Sequence, residues 1–235
     1  MVRPCGSSAS PMAQAAGAYL FLLGLASGIA ALTISAFQRV SPPWLKGLLA
    51  ASGLFVISRY VALALFATAE SPDRVWAWRH CWFATSLALP LQSAFAVDQL
   101  LRHPAMSPKK LLAWLAPFLI AYSAVILFAG VTPAPDRVVG WSLRLEPWWQ
   151  RLLSATHGLF VMGFLGAALL LMRKVPSRPI RVALLGLALG IGALALDGVL
   201  LALGGWYFRP YLYSEMLALF AIWHAFETGA ALQRG

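Results

Sequence analysis

"LALGIGALALDGVLLALGG", residues 187–205, is built almost wholly from Leu, Ala, Gly, Ile and Val, yet it holds one carboxylate, Asp197. A bilayer core about 30 Å thick takes about 20 apolar residues as a helix, so the run reads as a membrane span with an acid in its interior. The rest of the chain agrees. Of 235 residues, 60% are hydrophobic and 11% charged, roughly half the charged share of a soluble domain. The sequence is that of an integral membrane protein, and its 10 Trp suit a class in which Trp gathers at membrane interfaces.

Six further stretches qualify. The spans are expected at about 14–37, 45–69, 76–101, 110–131, 149–172, 180–204 and 211–232. Backbone groups in lipid must be satisfied within the segment, so each is a helix. The connections carry proline, in "SPPW", "SPDR", "HPAMSP", "TPAPDR", "VPSRP" and "RPY". Proline suits loops and first helical turns. The expected fold is therefore all-α: a polar tail over 1–13, then a single seven-transmembrane-helix bundle over 14–235.

The formal charge is +10. Basic residues in short loops set membrane orientation, so the partner implied is the lipid bilayer and no nucleic acid is expected. One set of loops holds Arg39, Lys46, Arg102, Lys109, Lys110, Arg173, Lys174, Arg178, Arg181 and Arg234, without an acid. The other holds Arg3, Arg74, Arg79, Arg137, Arg144, Arg151 and Arg209, mixed with Glu70, Asp73, Asp136 and Glu146. The excess marks the cytoplasm, which puts the N-terminus outside and the C-terminus inside. The first apolar run is too long for a signal-peptide core and reads as a retained span. Much Arg over Lys, with abundant Ala and Gly, suggests a GC-rich bacterium and hence a multi-pass protein of its inner membrane. The outer loop near 131–149 carries three Trp and both charge signs. It reads either as an interfacial anchor or as a lid.

An ionisable group inside the membrane is costly and marks a functional candidate. At about 1.5 Å per residue, Asp197 lies roughly 10 Å and Arg59 roughly 15 Å below the outer ends of their spans. Glu215 and His157 lie roughly 6 and 12 Å below theirs. These four, with Gln92 just after Pro90, are the candidate ligand-binding residues. Arg59 needs a carboxylate, and Asp197 and Glu215 are the nearest in depth. An internal salt bridge, a polar ligand cavity open to the outside, and a proton or ion path all remain open. His224 and Glu227 share a helix face one turn apart and, with Asp98, predict a polar contact between spans three and seven.

No catalytic set, metal or cofactor is expected. "AIWHAFET" resembles the His-bearing last helix of seven-helix membrane hydrolases of the ceramidase and adiponectin-receptor type. However, His80 and His224 differ in depth by roughly 15 Å, and His103 is on the opposite side. "RHCWFATSLALPL" loosely resembles a microbial rhodopsin third helix, but span seven has no Lys for a retinal Schiff base. Cys5 and Cys81 sit in unlike settings and suggest neither a disulfide nor a metal site.

The whole chain resembles the seven-transmembrane sensor region at the N-terminus of many bacterial histidine kinases and diguanylate cyclases. The likeness rests on "WRHCWFATSLALPLQ", "KKLLAWLAPFLIAY", the long outer loop and "RKVPSRPIRVALLGLALG". It implies detection of a signal on the outer side, passed to a cytoplasmic output domain. No such domain follows "ALQRG", so the expectation is a receptor-like sensory module that needs a separate protein partner. The alternatives are an accessory subunit of a larger membrane complex and, less favoured, a small enzyme or transporter acting on a lipid.

Overall fold

Proline opens most of the helices, because its missing N–H costs nothing in a first turn. The computed structural model describes residues 11–102, 107–136, 140–202 and 212–233. Helix α1 spans Pro11–Phe37, α2 Pro43–Thr68, α3 Pro72–Ala77, α4 Ala84–Leu101, α5 Pro108–Phe128, α6 Pro147–Lys174, α7 Arg178–Ala202 and α8 Leu212–Leu232. A 3-10 turn, Arg79–Phe83, joins α3 to α4. Strands β1, Val131–Asp136, and β2, Gly140–Leu145, form an antiparallel hairpin. Ser107 adds a side-chain cap to α5, accepting from the Lys110 amide at 3.3 Å.

Five segments are long and apolar enough to cross a bilayer: Gly17–Phe37, Pro43–Thr68, Pro108–Phe128, Pro147–Lys174 and Arg178–Leu200. The chain is thus a multi-pass, helical membrane protein. Its long helices pack as a ring in chain order, α1, α2, α4, α5, α6, α7 and α8, with α8 returning to α1. Helices α4 and α8 also meet each other across the ring. These two fall short of the others in hydropathy, and burial supplies the reason. Most of α4 is buried, whereas on α5 only Leu115, Tyr122 and Val125 are. A helix that faces protein can carry polar groups that a lipid-facing helix cannot.

Thr85, Gln92 and Gln99 recur every seventh residue on α4, all buried. The spacing keeps them on one face. Thr85 bonds Glu215 of α8, and Gln92 donates to Ser52 of α2 at 2.9 Å. Gln99 lies where a Cβ on Gly229 of α8 would meet it at 3.0 Å. At Gly190 the backbone of α7 runs close to that of α8: an added Cβ would stand 2.8 Å from the Ala218 Cα. Small residues permit such helix approach.

Two expectations are corrected here. The third span, expected as one helix over 76–101, is broken at the 3-10 turn, and regular helix resumes only at Ala84. The segment expected as a loop is largely the hairpin, so among the described residues the regular structure is helical except for this ribbon. Pro133 and Pro135 stand opposite Leu143 and Trp141 in the register, and a two-stranded ribbon, all edge, tolerates proline where a central strand would not. The hairpin caps α2: Trp141 Nε1 donates to the Ala69 carbonyl at 2.9 Å. Gly140, at φ +73°, sits on the last turn of α2, where a Cβ would stand 2.6 Å from the Phe66 carbonyl oxygen.

The basic residues Arg39, Lys46, Arg102, Lys109, Lys110, Arg173, Lys174, Arg178 and Arg181 cluster at the helix ends opposite the hairpin. At this basic end Arg39 pairs with Glu227 of α8. The expected partner of Glu227 was span three; the geometry instead ties α8 to the end of α1.

Gly140→Ala combines a left-handed backbone with a close contact, and should cost about 2 kcal/mol. A lowered unfolding midpoint in detergent checks this. An unchanged midpoint would mean that the hairpin does not bear on α2.

Candidate functional site

Arg59 lies nine residues before the end of α2, about 14 Å below its hairpin end. Its relative exposure is 4%, and a buried charge persists only if paired and hydrogen-bonded. Its Nε is 3.0 Å from Glu215 Oε1 and donates to Oε2 at 3.2 Å. Its Nη1 donates to the Trp82 carbonyl. The guanidinium also stands over the Trp82 ring, 5.7 Å from its centroid, and that ring stacks on Phe66 at 5.2 Å. Glu215 Oε1 accepts in turn from Thr85 Oγ1 at 2.9 Å.

The break before α4 explains part of this set. In a continuous helix the Trp82 carbonyl would be committed to the Ser86 amide. Lying just before the cap residue Phe83, it is instead available to Arg59. One ion pair therefore joins α2, the 3-10 turn, α4 and α8.

Beside the pair is a cavity of about 490 Å³, within the range of small-molecule sites. Arg59, Glu215, Trp82 and Thr85 line it from one side. Gln150, Ser154 and His157 line it from α6, and Leu194, Gly198 and Val199 from α7. His157 Nδ1 is 3.4 Å from the Tyr122 hydroxyl of α5. Its other ring nitrogen has no protein partner among the described residues.

Of the five residues singled out from the sequence, Arg59, Glu215 and His157 come together at this cavity. Asp197 does not. It accepts from Ser214 Oγ, linking α7 to α8, while its neighbours Leu194, Ala195, Gly198 and Val199 face the cavity. Gln92 lies deeper on α4, bonded to Ser52, and its Oε1 has no partner among the described residues. His80 serves the scaffold, its Nδ1 2.7 Å from the Ile126 carbonyl. His103 lies outside the described residues.

Sequence reasoning missed Thr85, Gln150 and Ser154. Gln150, Ser154 and His157 occur at i, i+4 and i+7, a polar stripe on an otherwise apolar helix, and that spacing was a usable signal. Thr85 precedes Gln92 by two turns on the same face. Among the described residues, no group of three or more His, Cys, Asp or Glu could hold a metal ion. The chain matches no protein-family model and no curated protein.

Removing one member of a buried pair strands the other charge, whereas replacing both with apolar residues removes the penalty. Arg59→Met and Glu215→Leu should each lower stability by about 3–5 kcal/mol, with the double variant losing much less than their sum. A double-mutant cycle of unfolding in mixed micelles reads this, and additive losses would show the two residues to be energetically independent.

Proposed function

We propose that this protein is a receptor-like membrane module that binds a small ligand in the cavity beside Arg59 and Glu215. The observation that carries the reading is the placement of that cavity against the Arg59–Glu215 ion pair, which ties α2 to α8 and, through Thr85, to α4. A ligand that binds one arrangement of these helices better than another shifts the population toward it. Contact with Arg59, Glu215 or Thr85 is contact with the join itself. The resemblance to bacterial seven-transmembrane sensor regions points the same way.

In this reading α4 and α8 also cross the membrane, giving seven spans. The polar faces that lower their hydropathy are turned inward. The basic end is cytoplasmic by the excess of Lys and Arg, which puts the N-terminus, the hairpin and the cavity mouth on the outer side of a bacterial inner membrane. A second reading, an accessory subunit of a larger complex, draws on the long uncovered face of α5, where Trp114, Ile120 and Phe128 are all exposed.

Gly158 and Gly198 line the cavity, and an added Cβ on either meets nothing within 4 Å. Gly158→Leu and Gly198→Leu should therefore fill the site with little effect on stability. Native mass spectrometry of the protein, purified gently from membranes, should show a bound small molecule in the wild type and none in either variant. A wild-type spectrum with no small molecule but a second protein chain would instead favour the subunit reading.

Orientation has its own check, with Cys5 and Cys81 both replaced by Ser. A membrane-impermeant maleimide added to intact cells should label Ala134→Cys in the hairpin and spare Ser177→Cys at the basic end. The reverse pattern would invert the topology.

A further inference from the structure

The lining of the cavity changes character with depth. Along α6, counted from the hairpin end, the polar groups Gln150, Ser154 and His157 come first, with Leu153 among them, and only the apolar Val161 and Met162 line the deeper part. Helix α4 runs in the same direction and repeats the order: Thr85 and Ser86, then Leu89 and Pro90. From Gln150 to Met162 the slot extends about 18 Å along the helix. Its polar part runs from near the hairpin end of α6 to His157, about 15 Å down the helix, and its apolar part lies deeper.

The slot also reaches the flank of the bundle. Met162 on α6 is 73% exposed and Val199 on α7 is 54% exposed, and both line it. Both helices are long and apolar enough to span, so these exposed faces meet lipid rather than water. Finally, the wall is close to electrically neutral. Arg59 and Glu215 cancel each other at 3.0 Å, and the remaining polar groups are an amide, hydroxyls and one imidazole.

We infer that the occupant is a membrane-borne amphiphile with an uncharged, hydrogen-bonding head and an apolar tail, entering sideways between α6 and α7 from the leaflet at the hairpin end. This rests on the reading of the cavity as a ligand site. The head lies among Thr85, Ser154 and His157, and the tail runs past Val161 and Met162. A charged head would have to divide the Arg59–Glu215 pair to find a counter-ion, whereas a hydroxylated or carbonyl-bearing head bonds to the groups already present. A water-soluble polar ligand would leave the apolar half of the slot unfilled.

The test uses the full chain in lipid nanodiscs, with a monoacylglycerol carrying a diazirine near its chain end as the probe. After illumination, label should concentrate on the α6 peptide holding Val161 and Met162 and on the α4 peptide holding Leu89. Excess unlabelled monoacylglycerol should compete, and glycerol should not. Met162→Trp and Val199→Trp, which narrow the flank opening, should each reduce the label; Leu169→Trp, also exposed on α6 but away from the slot, should not. Label spread evenly over α5 and α6 would mark ordinary boundary lipid and overturn the inference. Stronger labelling by a phosphate-headed analogue would overturn the uncharged head. Should the native mass spectrum keep its small molecule while label is spread evenly, the amphiphile fails and the cavity reading stands. Loss of both results overturns both.

Discussion

A guanidinium in the middle of a membrane protein has few permissible surroundings, and the arrangement around Arg59 follows from that. It needs a carboxylate, which Glu215 supplies from α8. It needs further acceptors, and the Trp82 carbonyl meets that need because regular helix is interrupted just before α4. The carboxylate needs donors besides Arg59, and Thr85 is placed to give one. A buried pair of this kind is weak evidence for net stability, since desolvation offsets most of the attraction. Its consequence is register: α2 and α8 can slide past one another only by separating the charges, and α4 past α8 only by giving up the Thr85–Glu215 hydrogen bond.

Much of this was legible in the sequence, and the parts that were not share a cause. Length and composition set the ends of the long helices to within a few residues, except at the start of α4, eight residues later than expected. Depth is readable because the helix rises a constant amount per residue, and that made Glu215, along with Asp197, a candidate partner for Arg59 before any packing was known. Rotation about the helix axis is not readable in the same way. Asp197 has the depth for the cavity, but successive residues turn about 100°, so Gly198 faces the slot while Asp197 turns to Ser214. The 3-10 turn was hidden because "WRHCWF" contains no proline or glycine to announce a break. The hairpin was hidden by the opposite signal, since two prolines in six residues argue against a strand except at an edge.

Hydropathy by itself divides the helices in a misleading way. Helices α5 and α6 score as membrane spans because they turn wide apolar faces outward, and α4 and α8 score lower because they do the opposite. The amides that depress α4, Gln92 and Gln99, are both buried, Gln92 completely. Low hydropathy here reports an interior position in the ring. The same inward polarity places hydrogen-bonding groups along α4 from the cavity toward the basic end.

The two attachments of α8 differ in kind. Near its start, the Glu215 side chain is only 4% exposed; near its end, Glu227 meets Arg39 in a pair whose side chains are 31% and 45% exposed. Exposed pairs are weak and screened by salt, and buried ones much less so. The two ties of α8 therefore answer differently to ionic strength: added salt weakens the one at the basic end and leaves the one near the hairpin, so the helix is electrostatically fixed at one end and adjustable at the other.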